Sequence, residues 1–181
     1  IKPEVKGQLV MPSPLTSGAA LIHAATLTGT IEGGWKYYEA LKDNDAVAGG
    51  GNGDVLKQVA GGQKLYGVIV DYMPIREKAK GAPIEFVFPK EGVSAVTEPA
   101  AILASTKHAD AAKKFIDYLL SENGQKVAAK LGYIPARKGV DLPAGYPPRD
   151  QIKVLPIKAS EALKNSEKDV KTFSDIFGIK G

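Results

Sequence analysis

Short apolar runs closed by glycine or proline alternate, through the first half of the chain, with stretches whose apolar residues recur every three or four positions. Gly7 to Met11 predicts a strand stopped by Pro12 and Pro14. Ser17 then opens a helical run through Leu21, Ile22, Ala25 and Thr28 that Gly29 closes. Trp35, Tyr38 and Leu41 share one face of a second helix over 34–41. Val47 begins a short strand that runs into Gly49, Gly50 and Gly51. Asn52, Gly53 and Asp54 start a helix carrying Val55, Leu56 and Val59, terminated by Gly61 and Gly62. Leu65 to Val70 is continuously apolar, as a strand buried on both faces is. Tyr72 to Lys80 predicts a helix with Pro74 tolerated in its first turn, and Ile84 to Phe88 a further strand between Pro83 and Pro89. This alternation predicts an α/β layer with parallel or mixed pairing.

Beyond Gly92 the pattern changes. Ala95 to Ala104 reads as extended, and His108 to Leu120 is strongly amphipathic, with Ala112, Phe115 and Leu119 on one side and Lys113, Lys114 and Asp117 on another. A helix over 122–131 follows, capped by Gly132. Residues 136–148, rich in proline and glycine, predict a long surface connector. A last helix over 167–177 carries Val170, Phe173 and Ile176 as its stripe.

Composition narrows the chemistry. There is no cysteine in the 181 residues, so a disulfide framework and a thiol nucleophile are excluded, and with two histidines a structural zinc site is excluded as well. The net charge of +4 is dispersed and forms no dense basic tract, which argues against nucleic acid and mildly favours small anions. No apolar run approaches the ~20 residues that cross a bilayer.

Three places can hold chemistry. Thr16-Ser17-Gly18-Ala19-Ala20 puts a hydroxyl and a small-residue first turn at a helix start, where unpaired N–H groups and the helix dipole attract an oxyanion; the alternative is a plain helix cap at Ser17. Gly49-Gly50-Gly51-Asn52-Gly53 again leads backbone donors into a helix, either as a binding loop or as a flexible turn, and matches neither the dinucleotide nor the P-loop pattern. Asp71-Tyr72 follows an apolar strand, where open α/β sheets present ligand contacts, or else Asp71 caps its helix with Tyr72 packed alongside. A hydrolytic triad is not assembled. His23 lies inside an apolar helix, His108 in the first turn of a solvated one, the chain has no G-x-S-x-G elbow, and Asp43, Asp45 and Asp54 read as loop and cap charges.

Taken in order, PSPLTSGAA, GVIVDYMPIREKAKGAPIEFVFPKEG, VTEPAAILASTKHADAAKKFIDYLLSENGQ and GYIPARKGV resemble the solute-binding proteins of ABC importers, in the branch labelled ferric-iron-binding. The similarity runs from about Val5 to about Val140. It implies a two-lobed, hinged receptor in the periplasm or outside the cell, free or as a membrane-associated lipoprotein with its signal peptide outside this sequence, which delivers a small solute to a membrane permease. The expected fold is α/β: one lobe of a type II periplasmic-binding-protein-like fold, a mixed sheet flanked by helices, plus a helical segment that normally belongs to the first lobe. On that basis residues 1–92 form the second-lobe core, 93–135 the crossover and helices packed on the first lobe, and 136–181 the return to the second. In iron-binding members an S-G-[AT] turn holds a synergistic anion and two adjacent tyrosines ligate iron. Ser17, Gly18 and Ala19 match the turn, Asn52 falls near a polar anion contact, and Tyr72 matches one tyrosine. Its neighbour is Met73, whose thioether is a poor partner for hard ferric iron.

The expectation is a non-catalytic receptor without a cofactor, binding a small anionic solute such as phosphate, a phosphonate or a phosphorylated organic compound through Ser17, Gly18, Ala19, Asn52, Asp71 and Tyr72. Within the same role the alternative is ferric iron with a synergistic anion, Tyr72 being the metal ligand. The rival from another class is an enzyme acting on a phosphorylated or carboxylated metabolite. The expected partners are the solute and the permease, with no nucleic acid. The stripe of Ala112, Phe115 and Leu119 is expected to lie exposed, to be covered by a second copy or by the missing first lobe.

Overall fold

The computed structural model describes residues 2–180, which divide into two compact units, Ile1–Val96 with Ile152–Gly181 and Thr97–Gln151. The first unit is built on three short parallel strands, β1 (Leu9–Met11), β2 (Val47–Ala48) and β3 (Tyr66–Gly67), in the order β2-β1-β3. Val10 pairs with Val47 on one side and Gly67 on the other and is fully buried. Each strand leads into a helix: α1 (Gly18–Thr30) after β1, α3 (Asn52–Ala60) after β2, and α4 (Tyr72–Ala79) after β3; α2 (Trp35–Asp43) connects α1 to β2. Because the strands run parallel, all three strand-to-helix turns lie at one edge of the sheet. Gly67 is required where α3 crosses the sheet, since a Cβ there would lie 2.7 Å from Val55 Cγ1.

The core sits where the last helix returns. α7 (Ala159–Phe177) packs on α1 and α2, inserting Phe173 and Phe177 among Met11, Ala24, Tyr38, Leu41 and Ala46. Phe173 meets Tyr38 edge-on at 5.6 Å and stacks on Phe177 at 4.7 Å, spacings at which ring quadrupoles attract. The Tyr38 hydroxyl is buried with no hydrogen-bond partner among the described residues, and burial pushes its pKa upward.

In the second unit α5 (Ala109–Leu120) and α6 (Glu122–Lys130) form a hairpin turned by Ser121. The Ser121 hydroxyl donates to Tyr118 O (2.6 Å) and accepts from Gly124 N–H (3.1 Å), so one residue ends a helix and caps the next. The proline-rich stretch after α6 is pinned by side chains: Ala136 N–H donates to Gln125 Oε1 (2.6 Å), Tyr146 Oη to Gly132 O (2.9 Å) and Arg149 to Pro135 O (2.7 Å). α5 buries no residue, and Phe115 is 62% exposed, while Ala112 and Leu119 are half-buried.

Three sequence expectations are corrected. The apolar run Leu65 to Val70 is not a strand buried on both faces; only Tyr66–Gly67 pairs, at the sheet edge, leaving Leu65 64% exposed. Ile84 to Phe88 has no ladder partner among the described residues, although Ile84, Phe86 and Phe88 alternate with more exposed neighbours as in a strand. The last helix starts at Ala159 rather than 167, because Ala, Glu, Leu and Lys sustain a solvated turn that no apolar stripe announces; Leu163 there is 78% exposed.

Phe173→Ala is expected to lower the unfolding free energy of the first unit by about 3–5 kcal/mol through cavity formation. Urea titration followed by Trp35 fluorescence checks this, because the chain's single tryptophan packs against that core.

Candidate functional site

Ser17 stands in extended conformation before α1, and its Oγ accepts from the N–H of Ala20 at 3.2 Å. The preceding turn is tied down by hydroxyls. Leu15 N–H donates to Ser13 Oγ (3.2 Å), and Thr16 Oγ1 donates to Gly50 O (2.5 Å), joining the turn after β1 to the glycine loop after β2. Asp54, in the first turn of α3, accepts from Gly51 N–H (3.1 Å), and Asp71 accepts from Tyr72 N–H (2.8 Å). Each helix start is thus prepared locally by the polar residue its sequence supplies.

Asn52 makes these starts one site. Its Oδ1 accepts from Val70 N–H at 3.0 Å, which fixes the orientation of the carboxamide, because a backbone N–H needs an acceptor. Nδ2 then points to Ser17 Oγ at 3.3 Å. One side chain at the start of α3 therefore links the cap of α1 to the segment that enters α4. The Ser17 oxygen receives two hydrogen bonds, from Ala20 and Asn52, which leaves its own proton available as a donor. The first N–H groups of α1 have no intrahelical acceptor, and the helix dipole adds positive potential there. A Cβ on Gly18 would meet nothing within 4 Å, so the backbone beside Ser17 is open to approach. The Arg76 guanidinium lies 5.9 Å from the centre of the Tyr72 ring and contributes a full positive charge beside α4.

Of the residues singled out from sequence, Ser17 and Asn52 are in direct contact, Gly18 and Ala19 form the first turn of α1, and Asp71 caps α4 next to Tyr72. Sequence reasoning missed Ser13, a 2%-exposed hydroxyl in the turn, whose signal was its place between two prolines in a hydroxyl-rich turn. It also missed the partner of His23. His23 Nδ1 lies 2.9 Å from Ser94 Oγ, far from it in sequence, and burial holds the imidazole down at about 4. His108 precedes α5 in the other unit. Among the described residues no group of three or more His, Cys, Asp or Glu could hold a metal ion, and no helix is long and apolar enough to cross a membrane.

The family model for bacterial extracellular solute-binding proteins matches residues 1–160. This chain belongs to that family. A solute-binding protein of known structure, the Bordetella ferric binding protein, superposes with a TM-score of 0.73 over 99% of this chain and 62% of its own, at 24% identity. An uncharacterized protein of Haemophilus influenzae is 31% identical over 133 residues, 72% of this chain and 38% of its own. The spermidine/putrescine-binding periplasmic protein 1 of Haemophilus influenzae is 35% identical over 86 residues, 42% of this chain and 24% of its own. The chain thus spans well under half the length of these curated relatives and matches the expected α/β solute-binding fold, with a small parallel sheet flanked by helices.

The neutral His23 carries a pH signature. Its folded value near 4 lies below the ordinary 6.5, so between those values the unfolded chain binds a proton that the folded chain refuses. Stability of the first unit is therefore full above pH 6.5 and is lost as pH falls through 4. The expected loss between pH 7 and 4.5 is about 2–3 kcal/mol. Urea unfolding read by Trp35 at each pH checks it, and His23→Leu should flatten the slope.

Proposed function

We propose that this chain is the solute-contacting part of the binding component of an ABC importer, acting in the periplasm and passing a small anionic solute to a membrane permease. The observation that carries the reading is the Asn52 carboxamide bridging Ser17 to Val70, because it gathers three helix starts beside one hydroxyl available to donate. In this arrangement Ser17 donates its O–H, and the N–H groups of Gly18 and Ala19 face the oxyanion. Asn52 holds Ser17 in place, Asp71 positions the start of α4, and Tyr72 with Arg76 borders the solute. Phosphate, a phosphonate or a phosphorylated organic compound fits such donors, since each offers several acceptor oxygens on one centre. The division into a second-lobe core over 1–92, a crossover over 93–135 and a return over 136–181 belongs to the same proposal, as does coverage of the α5 stripe by another lobe or a second copy.

Ferric iron with a synergistic anion is the second reading, and Tyr72 favours it. A phenolate is a hard ligand for iron, and the same Ser17 turn would seat the anion. With Met73 beside it, Tyr72 has no second phenolate next to it in the sequence, and the remaining iron ligands would have to come from elsewhere. Catalysis by the same turn would require a base. His23 is engaged with Ser94 and held neutral, and the site residues include no second imidazole or paired carboxylates.

Calorimetric titration with inorganic phosphate, ferric citrate and spermidine separates these readings. Phosphate is expected to bind, with affinity falling about tenfold in Ser17→Ala, the loss of one charge-assisted hydrogen bond. Gly18→Val places its branched side chain in open space, so it should fold normally and still weaken binding. Unchanged phosphate affinity in both variants removes the anion seat, and binding of iron abolished by Tyr72→Phe establishes the second reading instead.

A further inference from the structure

His23 lies on α1, less than two turns beyond Ser17. Its partner Ser94 belongs to the stretch by which the chain leaves the first unit, which ends at Val96, and the chain returns at Ile152. The outgoing and returning stretches are bonded to each other. Val93 N–H donates to Lys153 O at 2.9 Å and Leu155 N–H to Val93 O at 2.8 Å, forming a parallel bridge between Val93 and Val154. The pair is tight: Gly92 is buried with φ +122°, and a Cβ there would press on Leu155 and on Lys153 O at 3.0 Å. A single bridge of two bonds, without a longer ladder, opens easily unless something else holds it. What joins it to a long, packed element is the side-chain bond from Ser94 to His23. Burial keeps that imidazole neutral, so one ring nitrogen donates and the other accepts, and the Ser94 hydroxyl complements Nδ1 in either tautomer.

We propose that the His23–Ser94 hydrogen bond is a latch that fastens both connecting stretches to α1, making His23 the positioning residue through which the Ser17 end of the helix is coupled to the crossings between the units. The path is continuous and short. Asn52 holds Ser17, Ser17 caps α1, α1 carries His23 as a rigid rod, and His23 holds Ser94 beside the Val93–Val154 bridge. A ligand that orders the start of α1 therefore also orders the crossings. The coupling to solute rests on the anion seat proposed above, whereas the latch itself does not.

Amide hydrogen exchange on the 181-residue chain, followed residue by residue by NMR, tests the latch in Ser94→Ala, His23→Leu and the double variant. The Val93 and Leu155 amides should exchange about tenfold faster in each single variant and no faster in the double, because one bond is being removed. The Gly49 and Val68 amides, which donate to Met11 O and Val10 O across the sheet, should keep their wild-type rates. Unchanged Val93 and Leu155 in Ser94→Ala overturns the latch, as does acceleration of Gly49 and Val68 by the same factor. Ser94→Ala alone decides the matter if His23→Leu does not fold. With inorganic phosphate as the probe, wild-type exchange should slow at Gly18 and Ala19 and also at Val93 and Leu155, and Ser94→Ala should lose only the second effect. Phosphate that slows Gly18 and Ala19 but never Val93 overturns the coupling and leaves the seat. Phosphate without effect at Gly18 and Ala19 overturns the seat, and the ligand-free rates still judge the latch.

Discussion

A carboxamide has one acceptor end and one donor end, and at Asn52 both are committed across chain segments that are remote in sequence. Asp at this position could accept from Val70 N–H but would draw the Ser17 proton to itself and remove it as a donor to solute, and Leu would leave the Val70 N–H unpaired and Ser17 Oγ with only the Ala20 N–H. The constraint is therefore chemical as well as steric. It turns three separate helix starts, which parallel pairing has merely brought to one edge, into a single arrangement with a hydroxyl available to donate. One layer back, the Ser13 hydroxyl braces the turn after β1 from within by accepting from Leu15 N–H, and the Thr16 hydroxyl ties that turn to Gly50.

That arrangement depends on packing supplied from the far end of the sequence. The strands are two or three residues long, too short to hold a sheet by their own ladders. Phe173 and Phe177 of the last helix close the face of α1 and α2, so the helix that presents Ser17 is held by residues more than a hundred positions later. The chain reaches them only after passing through the second unit and back. Both crossings meet at the Val93–Val154 bridge, within the first unit.

Helices α1 to α4 were legible in the sequence because apolar positions recur every three or four residues and Ser17, Asp54, Asp71 or a glycine marks each start, signals that act locally. Ser17, Asn52 and Asp71 could be named for the same reason. What could not be read were the relations that close only in three dimensions. Leu65 to Val70 looks like a central strand, yet sheet order places it at an edge, and apolar content does not report how many neighbours a strand has. Ile84 to Phe88 shows the alternation of a strand but joins no ladder among the described residues. The first turns of α7 carry only Ala159, Ala162 and an exposed Leu163 as apolar residues, too few for periodicity to detect. His23 could be placed inside an apolar helix, but Ser94, its partner, has no mark in the sequence.

The chain belongs to the bacterial extracellular solute-binding family and has its α/β fold, and the proposed seat requires the three helix starts to act together, organised by Asn52. The most direct measurement is an inorganic phosphate titration of the isotope-labelled chain, following the backbone amides of Gly18, Ala19, Asn52 and Tyr72 and the side-chain NH₂ of Asn52. If the account is right, all of them shift along a single saturation curve with one dissociation constant, and Asn52→Ala leaves only weak, unsaturated shifts at Gly18 and Ala19. Shifts that saturate at different concentrations at the three helix starts, or a curve unchanged in Asn52→Ala, would contradict it.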